Sequence, residues 1–517
     1  MSRRRGGIVI PSLAAGVLLA LSLPPFGWWP LAPLGAALLF WRLGGLRLRS
    51  RLLAGFAAGV GCFGIGLAWA QTFNWYGAAV LIALEAVSMA VASAVTPPRR
   101  GRMAGFVGAF TLLEAGRLAW PFGGLPIGGV YLGQADGPFL GLARLGGPLL
   151  LTAAVWALGA ALGSIGSAAE AVLRSRAAAE TDPRSSATSR GSAPAAVAGL
   201  ALVGLVLVVT LVGARAPDGG PARRTIPIAA VQGGGRRGVS KAEVPPATVL
   251  RAQMAATNTD LVGARHPTLV VWPEDVIALS GPLAGTPQAA ALARLARRLH
   301  ATVLAGVTET VSDTNFRNEI VAWGPDGRIV SVFEKVHRVP FGEYVPFRGF
   351  FAHLANLSAV PLDAIAGHGD GLMRTPAAPI GALVSYEVFF ADRGRSSVRA
   401  GAQLLVVPTN TSSYSTSQVP AQEIAAARVQ AVEEGRDLVQ AAPTGFSGVI
   451  DHRGAVLQRS GLGERAVISA RVGLRTGATL YERWGDWPVE VLAALLLGLG
   501  WLSWRRGTRA PTSPPVA

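Results

Sequence analysis

The sequence is poor in cysteine and histidine, and each shortage excludes a class of site. Cys62 is the only cysteine, so no disulfide can form within one chain. The six histidines show no metal-ligand spacing, and no glycine-rich stretch has the spacing of a phosphate-binding loop. We therefore expect no metal centre, no nucleotide and no other cofactor.

Charge is also scarce. Charged residues make up 15% of the 517 residues, whereas 50% are hydrophobic and the mean hydropathy is +0.40. This composition predicts membrane helices, which need about 17–25 apolar residues each. The second of eight such runs is short and begins among prolines; without it, six N-terminal spans would put the middle segment on the other side. The eight runs are 7–24, 28–45, 52–71, 77–96, 103–120, 147–168, 195–213 and 488–504.

The positions of the arginines decide between these topologies. Basic clusters mark cytoplasmic loops, and here they fall in alternate gaps, whereas the gaps around 25–27 and 72–76 contain no Arg or Lys. With eight spans, residues 215–487 are extracytoplasmic and both termini are cytoplasmic. The net charge of +17 is then a topology signal with anionic-lipid contact, and we expect no nucleic-acid partner. The clusters are Arg3 to Arg5, Arg42 to Arg51, Arg99 to Arg102, Arg174 to Arg190, and Arg505 to Arg509.

These patterns divide the chain into a membrane domain at 1–214, one α/β domain at 225–475, an eighth span at 488–504 and a tail at 505–517. Residues 170–194 are rich in Ala, Ser and Arg and are predicted to form a disordered loop. Short β-rich runs alternate with amphipathic helices in the α/β domain. The predicted strands are 226–231, 268–272, 302–307, 319–323, 328–333, 381–386, 403–408, 437–442, 448–451 and 466–472; the predicted helices are 247–262, 286–300 and 420–434.

Three residues with side chains suited to catalysis lie at the ends of apolar strands in this domain. Glu274 follows Trp272-Pro273, where burial beside apolar surface would raise its pKa and make it a better base. Lys335 follows strand 328–333 and can stabilise negative charge on a carbonyl oxygen. Ser385 lies at the turn from strand 381–386 into the following loop and is not in a Gly-x-Ser-x-Gly elbow. Taken singly, these residues also fit a solvated loop acid, a solvated cation and a buried hydroxyl.

Further residues are expected to support these three. Glu343 lies eight positions after Lys335, beyond a Pro-Phe-Gly turn, and is expected either to hold Lys335 or to hydrogen-bond the base. The backbone N–H groups of Tyr386 and Glu387 are expected to point at a bound oxyanion. His337 is interpreted as a satisfied loop histidine.

The order of Glu, Lys and a small nucleophile at three strand ends resembles the nitrilase superfamily. Together with the membrane half, the chain resembles the apolipoprotein N-acyltransferases, the membrane branch of that superfamily, nearly from end to end. The remaining motifs that carry this resemblance are Pro24-Pro25-Phe26-Gly27-x-x-Pro30, Glu114-x-x-Arg117, Leu132-Gly133-Gln134-x-x-Gly137-Pro138, Gln422-x-x-x-x-Ala427-Arg428-x-x-Ala431-x-Glu433 and Tyr481-x-x-x-Gly485-Asp486-Trp487-Pro488.

The resemblance implies an eight-helix, multi-span membrane domain carrying an extracytoplasmic nitrilase-like αββα sandwich, in a bacterial inner (plasma) membrane and as a monomer. It implies transfer of an acyl chain from a membrane phospholipid to the α-amino group of the N-terminal diacylglyceryl-cysteine of lipoproteins, through an acyl-enzyme. Glu274 would be the base, Lys335 would stabilise the oxyanion, and Ser385 would be the nucleophile.

Two departures from the family pattern suggest a divergent paralogue. Ser385 stands where the family has cysteine, and a serine hydroxyl needs concerted proton removal by a positioned base; Glu274 can serve. The stretch Asn410-Thr411-Ser412-Ser413-Tyr414 replaces a family stretch of Asn-Asp-x-Trp-Phe type. Two alternatives stay open: a non-catalytic lipid- or lipoprotein-binding module that keeps the fold, and a membrane-tethered carbon–nitrogen hydrolase.

Overall fold

The structure is a computed structural model that describes residues 2–72, 75–181, 192–235, 244–261, 266–353, 357–358, 360–413 and 418–508. The chain separates into two compact units. The first comprises Met1–Leu118, Ile127–Arg215 and Asp486–Ala517, and the second comprises Ala119–Pro126 and Ala216–Gly485. The predicted domain at 1–214 therefore contains one short segment, Ala119–Pro126, that belongs to the other unit.

The first unit is helical, and each of the eight predicted apolar runs lies mainly within a helix. Among the described residues, five helical stretches are long and apolar enough to cross a membrane: Leu48–Gly66, Trp75–Val95, Leu140–Ala177, Ala193–Arg215 and Trp487–Arg506. The helices are α1 (Ser2–Ser22), α2 (Leu31–Leu43), α3 (Leu48–Gly66), α4 (Trp75–Val95), α5 (Arg102–Ala119), α6 (Ala143–Thr181), α7 (Ser192–Arg215) and a C-terminal helix at Trp487–Thr508.

Helices α1, α2 and α5 are not among the five stretches that are long and apolar enough to cross a membrane. α1 and α2 contribute only the shorter apolar stretches Gly7–Ser22 and Leu31–Leu43. The 13 residues of α2 extend roughly 20 Å at the rise of an α-helix, which is less than the thickness of a bilayer core of about 30 Å. α5 carries Arg102, Glu114 and Arg117.

Two charged residues of α5, Glu114 and Arg117, take part in ion pairs within the first unit. Arg117 Nε lies 2.5 Å from Glu85 Oε2 on α4, and Arg117 Nη1 lies 3.1 Å from Glu114 Oε1. All three residues are buried. Because charge is costly in an apolar environment unless it is paired, this cluster makes α5 compatible with a helical bundle despite its composition.

The predicted disordered loop at 170–194 is wrong over part of its length. α6 continues to Thr181 and α7 begins at Ser192, while residues 182–191 lie outside the described part of the chain. The Ala-rich sequence after residue 168 favours a helix, and a Glu170–Arg174 ion pair one turn apart supports it. Near its start, α6 is interrupted at Gly146 and Gly147, which have non-helical backbone angles.

The second unit contains two β-sheets. One has the strand order β14-β1-β2-β4-β5-β6, with β3 beside β4 and β7 beside β5; the other has the order β13-β12-β11-β10-β9-β8. The strands are β1 (Arg224–Gln232), β2 (Leu269–Val271), β3 (Ile277–Leu279), β4 (Thr302–Thr310), β5 (Asn315–Trp323), β6 (Ile329–Glu334), β7 (Asp363–Ala364), β8 (Leu372–Arg374), β9 (Pro379–Ala382), β10 (Leu404–Pro408), β11 (Leu438–Ala441), β12 (Gly448–Ile450), β13 (Val456–Arg459) and β14 (Ala466–Leu474).

The sheets pack face to face and carry helices outside. Along β1, Ile228 and Ala230 enter a core shared with the second sheet, whereas Ala229 and Val231 enter a core shared with α8 and α9. Helices α11 and α12 cover the second sheet. This is the αββα sandwich that the family resemblance implied. The helices of this unit are α8 (Pro246–Asp260), α9 (Pro287–Leu299), α10 (Arg348–Phe351), α11 (Ala391–Arg399), α12 (Gln418–Glu434) and α13 (Leu480–Trp484).

All ten predicted strands and three predicted helices of the domain correspond to observed elements, with two corrections. The predicted strand 381–386 ends at Ala382, and Ser385 instead begins a 3₁₀ segment, Ser385–Phe389. α12 is not amphipathic, because its polar side chains are buried together with its apolar ones. Both differences matter for the site.

Candidate active site

The ends of strands in both sheets supply the residues predicted to carry chemistry. Glu274 follows β2 after Trp272 and Pro273, and Lys335 is the first residue after β6. The backbone at Glu274 runs against β4, where an added Cβ at Gly306 would lie 2.4 Å from Glu274 Cα. Only glycine at position 306 therefore allows the chain to hold Glu274 in this place.

Glu274, Lys335 and Glu343 form one buried network. Lys335 Nζ donates to Glu274 Oε1 and to Glu343 Oε1, at 2.9 Å in each case. Asn318 Nδ2 on β5 donates to the same two oxygens, each at 2.8 Å. Glu343 Oε2 accepts from the backbone N–H of Val339 at 2.7 Å. Glu343 thus holds Lys335, which is one of the two roles expected for it, and Asn318 bridges the two carboxylates.

Sequence reasoning missed Asn318. The predicted strand began at 319, one residue after it, and a single asparagine at the start of an apolar run carries no chemical signal by itself. Its position became informative only when β5 was seen to lie beside β6, because that pairing places Asn318 next to the segment that begins with Lys335, whose backbone N–H donates to the Asn318 carbonyl at 2.9 Å.

Burial and pairing set the protonation of this network. Burial raises the pKa of Glu274 to about 7, against the opposing effect of the Lys335 ammonium. Burial disfavours the charged form of Lys335, but the adjacent Glu274 and Glu343 carboxylates outweigh it and raise the pKa of Lys335. Lys335 is therefore a fixed cation, while Glu274 can be present in both its protonated and its ionised form near neutral pH.

Ser385 has a strained backbone and little exposure. Its φ of 51° lies in the left-handed region that side chains other than glycine rarely adopt. It is 9% exposed, and Thr409 Oγ1 lies 3.1 Å from its Oγ. Thr409 follows β10, which runs parallel to β9. Because the carboxyl ends of parallel strands meet at one edge of a sheet, Ser385 and Thr409 come together there.

Glu423 and Gln440, neither of which was predicted from the sequence, extend this contact into the interior. Thr409 Oγ1 donates to Glu423 Oε1 on α12, and Gln440 Nε2 lies 3.3 Å from Glu423 Oε2. Burial raises the pKa of Glu423 to about 8, with Thr409 acting in the opposite direction. The motif around 422–433 is the one signal in the sequence, but an amphipathic helix, as predicted for 420–434, turns its polar residues towards solvent.

Glu387 fastens the Ser385 segment to the Lys335 segment. Its carboxylate accepts from the backbone N–H groups of Val336, His337 and Val384 at 2.8–3.0 Å. Its own backbone N–H donates to the Val384 carbonyl at 3.1 Å. The expectation that the Glu387 N–H points at an oxyanion is therefore wrong, because the tight turn at Ser385 already uses it; the side chain organises the site instead.

Tyr386 contacts the segment Ala119–Pro126, which belongs to the second unit although it lies in the N-terminal half of the chain. Its hydroxyl donates to the Gly124 carbonyl at 2.9 Å, and the Tyr344 hydroxyl lies 3.3 Å from the Phe122 carbonyl. The His337 ring stacks on Phe390 with 4.2 Å between centroids, which fits its interpretation as a satisfied loop histidine.

The divergent stretch that begins at Asn410 lies beside this site. Asn410 Nδ2 lies 3.3 Å from Asp275 Oδ2, next in sequence to Glu274. Tyr414, the last residue of that stretch, lies outside the described residues. Within the described ranges, no group of three or more His, Cys, Asp or Glu side chains is arranged to hold a metal ion.

Similarity to known proteins extends over nearly the whole chain. Residues 15–161 match the apolipoprotein N-acyltransferase N-terminal domain, and residues 228–480 match the carbon-nitrogen hydrolase family. An apolipoprotein N-acyltransferase of Azotobacter vinelandii is 30% identical over 532 aligned positions, which cover 98% of this chain and 96% of that protein. One from Mycolicibacterium smegmatis is 29% identical, covering 94% and 83% respectively. Among solved structures, Nit3 of Saccharomyces cerevisiae aligns with 57% of this chain and 98% of its own, at 17% identity and a TM-score of 0.38.

Proposed function

Because the chain belongs to the apolipoprotein N-acyltransferase family and is therefore an acyltransferase that N-acylates lipoproteins, we propose that it works through an acyl-enzyme on Ser385. The acyl donor is a membrane phospholipid, and the acceptor is the α-amino group of a diacylglyceryl-cysteine. The observation that carries this proposal is the buried Glu274–Lys335–Glu343 network, fastened through Glu387 to the strained turn at Ser385.

Each side chain has a distinct role in this scheme. Lys335, held charged by two carboxylates, stabilises the oxyanion that forms when the acyl carbonyl is attacked. Glu274 protonates the leaving glycerol oxygen and later accepts the proton of the attacking amine. A carboxyl with a pKa of about 7 suits both tasks, because each form is well populated near neutral pH. Glu343 keeps Lys335 in place.

A group of exposed aromatic rings supports a lipid substrate. Phe341 lies between Lys335 and Glu343, Phe347 and Phe350 follow Glu343, and the three rings are 46%, 76% and 63% exposed. The Phe122 ring packs edge-on against Phe341 and Phe347, with 5.8 Å and 6.4 Å between centroids. Exposed apolar patches of this kind occur at lipid- and partner-binding surfaces, and this one lies on the loop that carries Glu343.

The chain is a membrane protein, and we infer eight crossings with the α/β unit on the extracytoplasmic side of the inner membrane, acting as a monomer. Alternation of the arginine clusters supports the count. The paired charges of Arg117 with Glu85 and Glu114 support a membrane location for α5. α2 is the short span, and Trp28 and Trp29 precede it at the position of an interfacial anchor.

The test uses the full-length protein in vesicles of phosphatidylethanolamine and phosphatidylglycerol, with a synthetic peptide that bears an N-terminal diacylglyceryl-cysteine. The expected products are the N-acylated acceptor peptide and an equal amount of lysophospholipid. An acyl adduct is also expected on the proteolytic fragment of the enzyme that contains Ser385. Mass spectrometry of lipoprotein N-termini from cells with and without the gene gives the cellular counterpart. Binding of peptide and lipid without any N-acylated product would overturn the proposal in favour of a binding module.

A further inference from the structure

The hydroxyl of Ser385 has a hydrogen-bond partner that the scheme above does not use. Among the described residues, the one hydrogen bond of Ser385 Oγ joins it to Thr409 Oγ1 at 3.1 Å, and Glu274 makes its bonds to Lys335 and Asn318. Thr409 contacts the Glu423 carboxyl in turn. The group in contact with the nucleophile is therefore not the residue that the sequence nominated as its base.

The ionisation of Glu423 determines which hydroxyl donates in the hydrogen bond between Ser385 and Thr409. Thr409 has one hydroxyl hydrogen and lies between two oxygens, Ser385 Oγ and Glu423 Oε1. An ionised carboxylate can only accept, so with ionised Glu423 the Thr409 hydrogen points at Glu423. Thr409 Oγ1 is then an acceptor, and the Ser385 hydroxyl donates to it. With Glu423 ionised, the chain of hydrogen bonds therefore runs from Ser385 to the buried carboxylate; with Glu423 protonated, it runs in the opposite direction, from Thr409 to Ser385.

The surroundings hold the Glu423 carboxyl beside Thr409. Gln440 Nε2 lies 3.3 Å from Glu423 Oε2 and also donates to the Phe446 carbonyl at 2.9 Å, so its amide cannot rotate freely. Burial raises the pKa of Glu423, the Glu274 carboxylate acts in the same direction, and the Lys335 ammonium favours the ionised form. Glu423 is 1% exposed. A buried carboxyl with one hydroxyl between it and a strained serine is placed for proton transfer.

We propose that Thr409 and Glu423 form a proton relay that removes the hydroxyl proton of Ser385 during acylation. Thr409 contacts the reacting oxygen, and Glu423 acts through it as a positioning residue. The relay rests on the proposed acyl-enzyme and names the base that this enzyme needs because its nucleophile is serine.

The proton balance closes over the two half-reactions. In the first, the Ser385 O–H bond breaks, the Oγ–acyl bond forms, and the proton passes through Thr409 to Glu423. The glycerol oxygen of the phospholipid leaves with a proton from Glu274. In the second, the amine attacks the ester and gives its proton to Glu274, while Glu423 returns the first proton to Ser385 through Thr409. One proton moves, in net, from the amine to the lysophospholipid.

The relay makes a prediction that a structural role for Glu423 does not. A thiol ionises without a strong base, so Ser385→Cys should free the enzyme from Glu423. We expect Glu423→Gln and Thr409→Val to slow acylation of Ser385 about 100-fold, the lower end of general-base effects. The same Glu423→Gln change should alter the rate of the Ser385→Cys enzyme less than threefold. Glu433→Gln, a buried carboxyl on the same helix, is the matched control and should show no dependence on the nucleophile.

The measurement is the rate of acyl-adduct formation on residue 385 in phosphatidylethanolamine–phosphatidylglycerol vesicles, followed by intact-protein mass spectrometry. Equal losses from Glu423→Gln in the serine and cysteine enzymes would overturn the relay and leave a structural role. A wild-type adduct with no loss in Glu423→Gln would overturn the relay alone, whereas absence of any wild-type adduct would overturn the proposed function as well.

The pH dependence supplies a second readout that does not need the cysteine enzyme to be active. Protonated Glu423 cannot accept the serine proton, so wild-type acylation should slow as the pH falls through about 8. Glu423→Gln should lack this decline. A Glu423→Gln enzyme that keeps the wild-type decline on the acid side would overturn the relay.

Discussion

Lys335 Nζ lies 2.9 Å from Glu274 Oε1, and the two side chains are 2% and 5% exposed. A charge pair this deeply buried is costly to assemble and more costly to break, because the remaining partner keeps its charge without a counter-ion. Glu343 shares the same ammonium, so Lys335 is the single positive charge that holds two carboxylates in place.

Replacing Lys335 by Met should therefore remove both stability and acyl transfer. We expect a loss of about 3–5 kcal/mol in the free energy of unfolding, the usual cost of breaking a buried pair, measured by chemical or thermal unfolding in detergent. Arg328→Met is the matched control, since Arg328 is exposed and lies 3.9 Å from Asp326. It should change stability by less than about 0.5 kcal/mol. Equal effects of the two changes would contradict the importance of the buried network.

Glu274→Gln should keep the fold and lose turnover. The amide retains the shape of the side chain but neither donates nor accepts the transferred proton, so we expect a loss of about 10²–10⁴-fold. The pH dependence follows from the raised pKa. The ionised form accepts a proton during attack on the acyl-enzyme, so this step should slow as the pH falls through about 7. Hydrolysis of the isolated acyl-enzyme by water tests this cleanly, because water does not titrate there; a flat profile would contradict the assignment.

The identity of the nucleophile can be tested at Ser385 itself. Ser385→Ala should abolish N-acylation without affecting membrane insertion, because it removes one hydroxyl. Ser385→Cys should preserve or raise activity, because the thiol ionises more easily. The wild-type acyl ester should survive neutral hydroxylamine better than the thioester of the cysteine variant. Ser396→Ala, in the half-buried part of α11, is the control; full activity in Ser385→Ala would disprove the acyl-enzyme.

The orientation of the α/β unit is testable without any chemistry. A reporter fused after Pro221 should be extracytoplasmic, since the basic clusters alternate across the preceding gaps. A second reporter fused after Arg506 should be cytoplasmic. Alkaline phosphatase and fluorescent-protein fusions give opposite signals on the two sides. A cytoplasmic signal after Pro221 would contradict seven crossings before this position. It would also place the site on the opposite side of the membrane from the one proposed.

Glu387 should act on structure and, through structure, on activity. Glu387→Ala leaves the backbone N–H groups of Val336, His337 and Val384 without their acceptor, at about 1–3 kcal/mol for each that stays buried and unpaired. Glu387→Gln keeps one oxygen acceptor and should lose less stability. Thermal unfolding of the two variants should rank them in that order. If both were as stable as the wild type, the fastening of the Ser385 turn would lie elsewhere.

The sequence predicted those parts of the site that follow from strand ends and local spacing. Glu274 and Lys335 each follow an apolar run, and the eight-residue spacing across a turn brought in Glu343. Asn318, Thr409 and Glu423 were not predicted from the sequence. Each of them contacts residues distant in the chain and resembles an ordinary polar residue of a strand or helix. A periodic pattern also assumes a solvent face, and α12 has almost none. Such burial becomes visible only after both sheets and their covering helices are assembled.

The segment Ala119–Pro126 has a consequence for how this protein can be divided. It supplies the Phe122 and Gly124 carbonyls to the hydroxyls of Tyr344 and Tyr386, and the Phe122 ring to Phe341. A recombinant fragment that starts at Ala216 and stops at Gly485 would omit it, although it would look like a complete domain in the linear sequence. Such a fragment would lack the acceptor of Tyr386, which follows Ser385, and that of Tyr344, which follows Glu343. The α/β unit therefore cannot be excised as one continuous piece of gene.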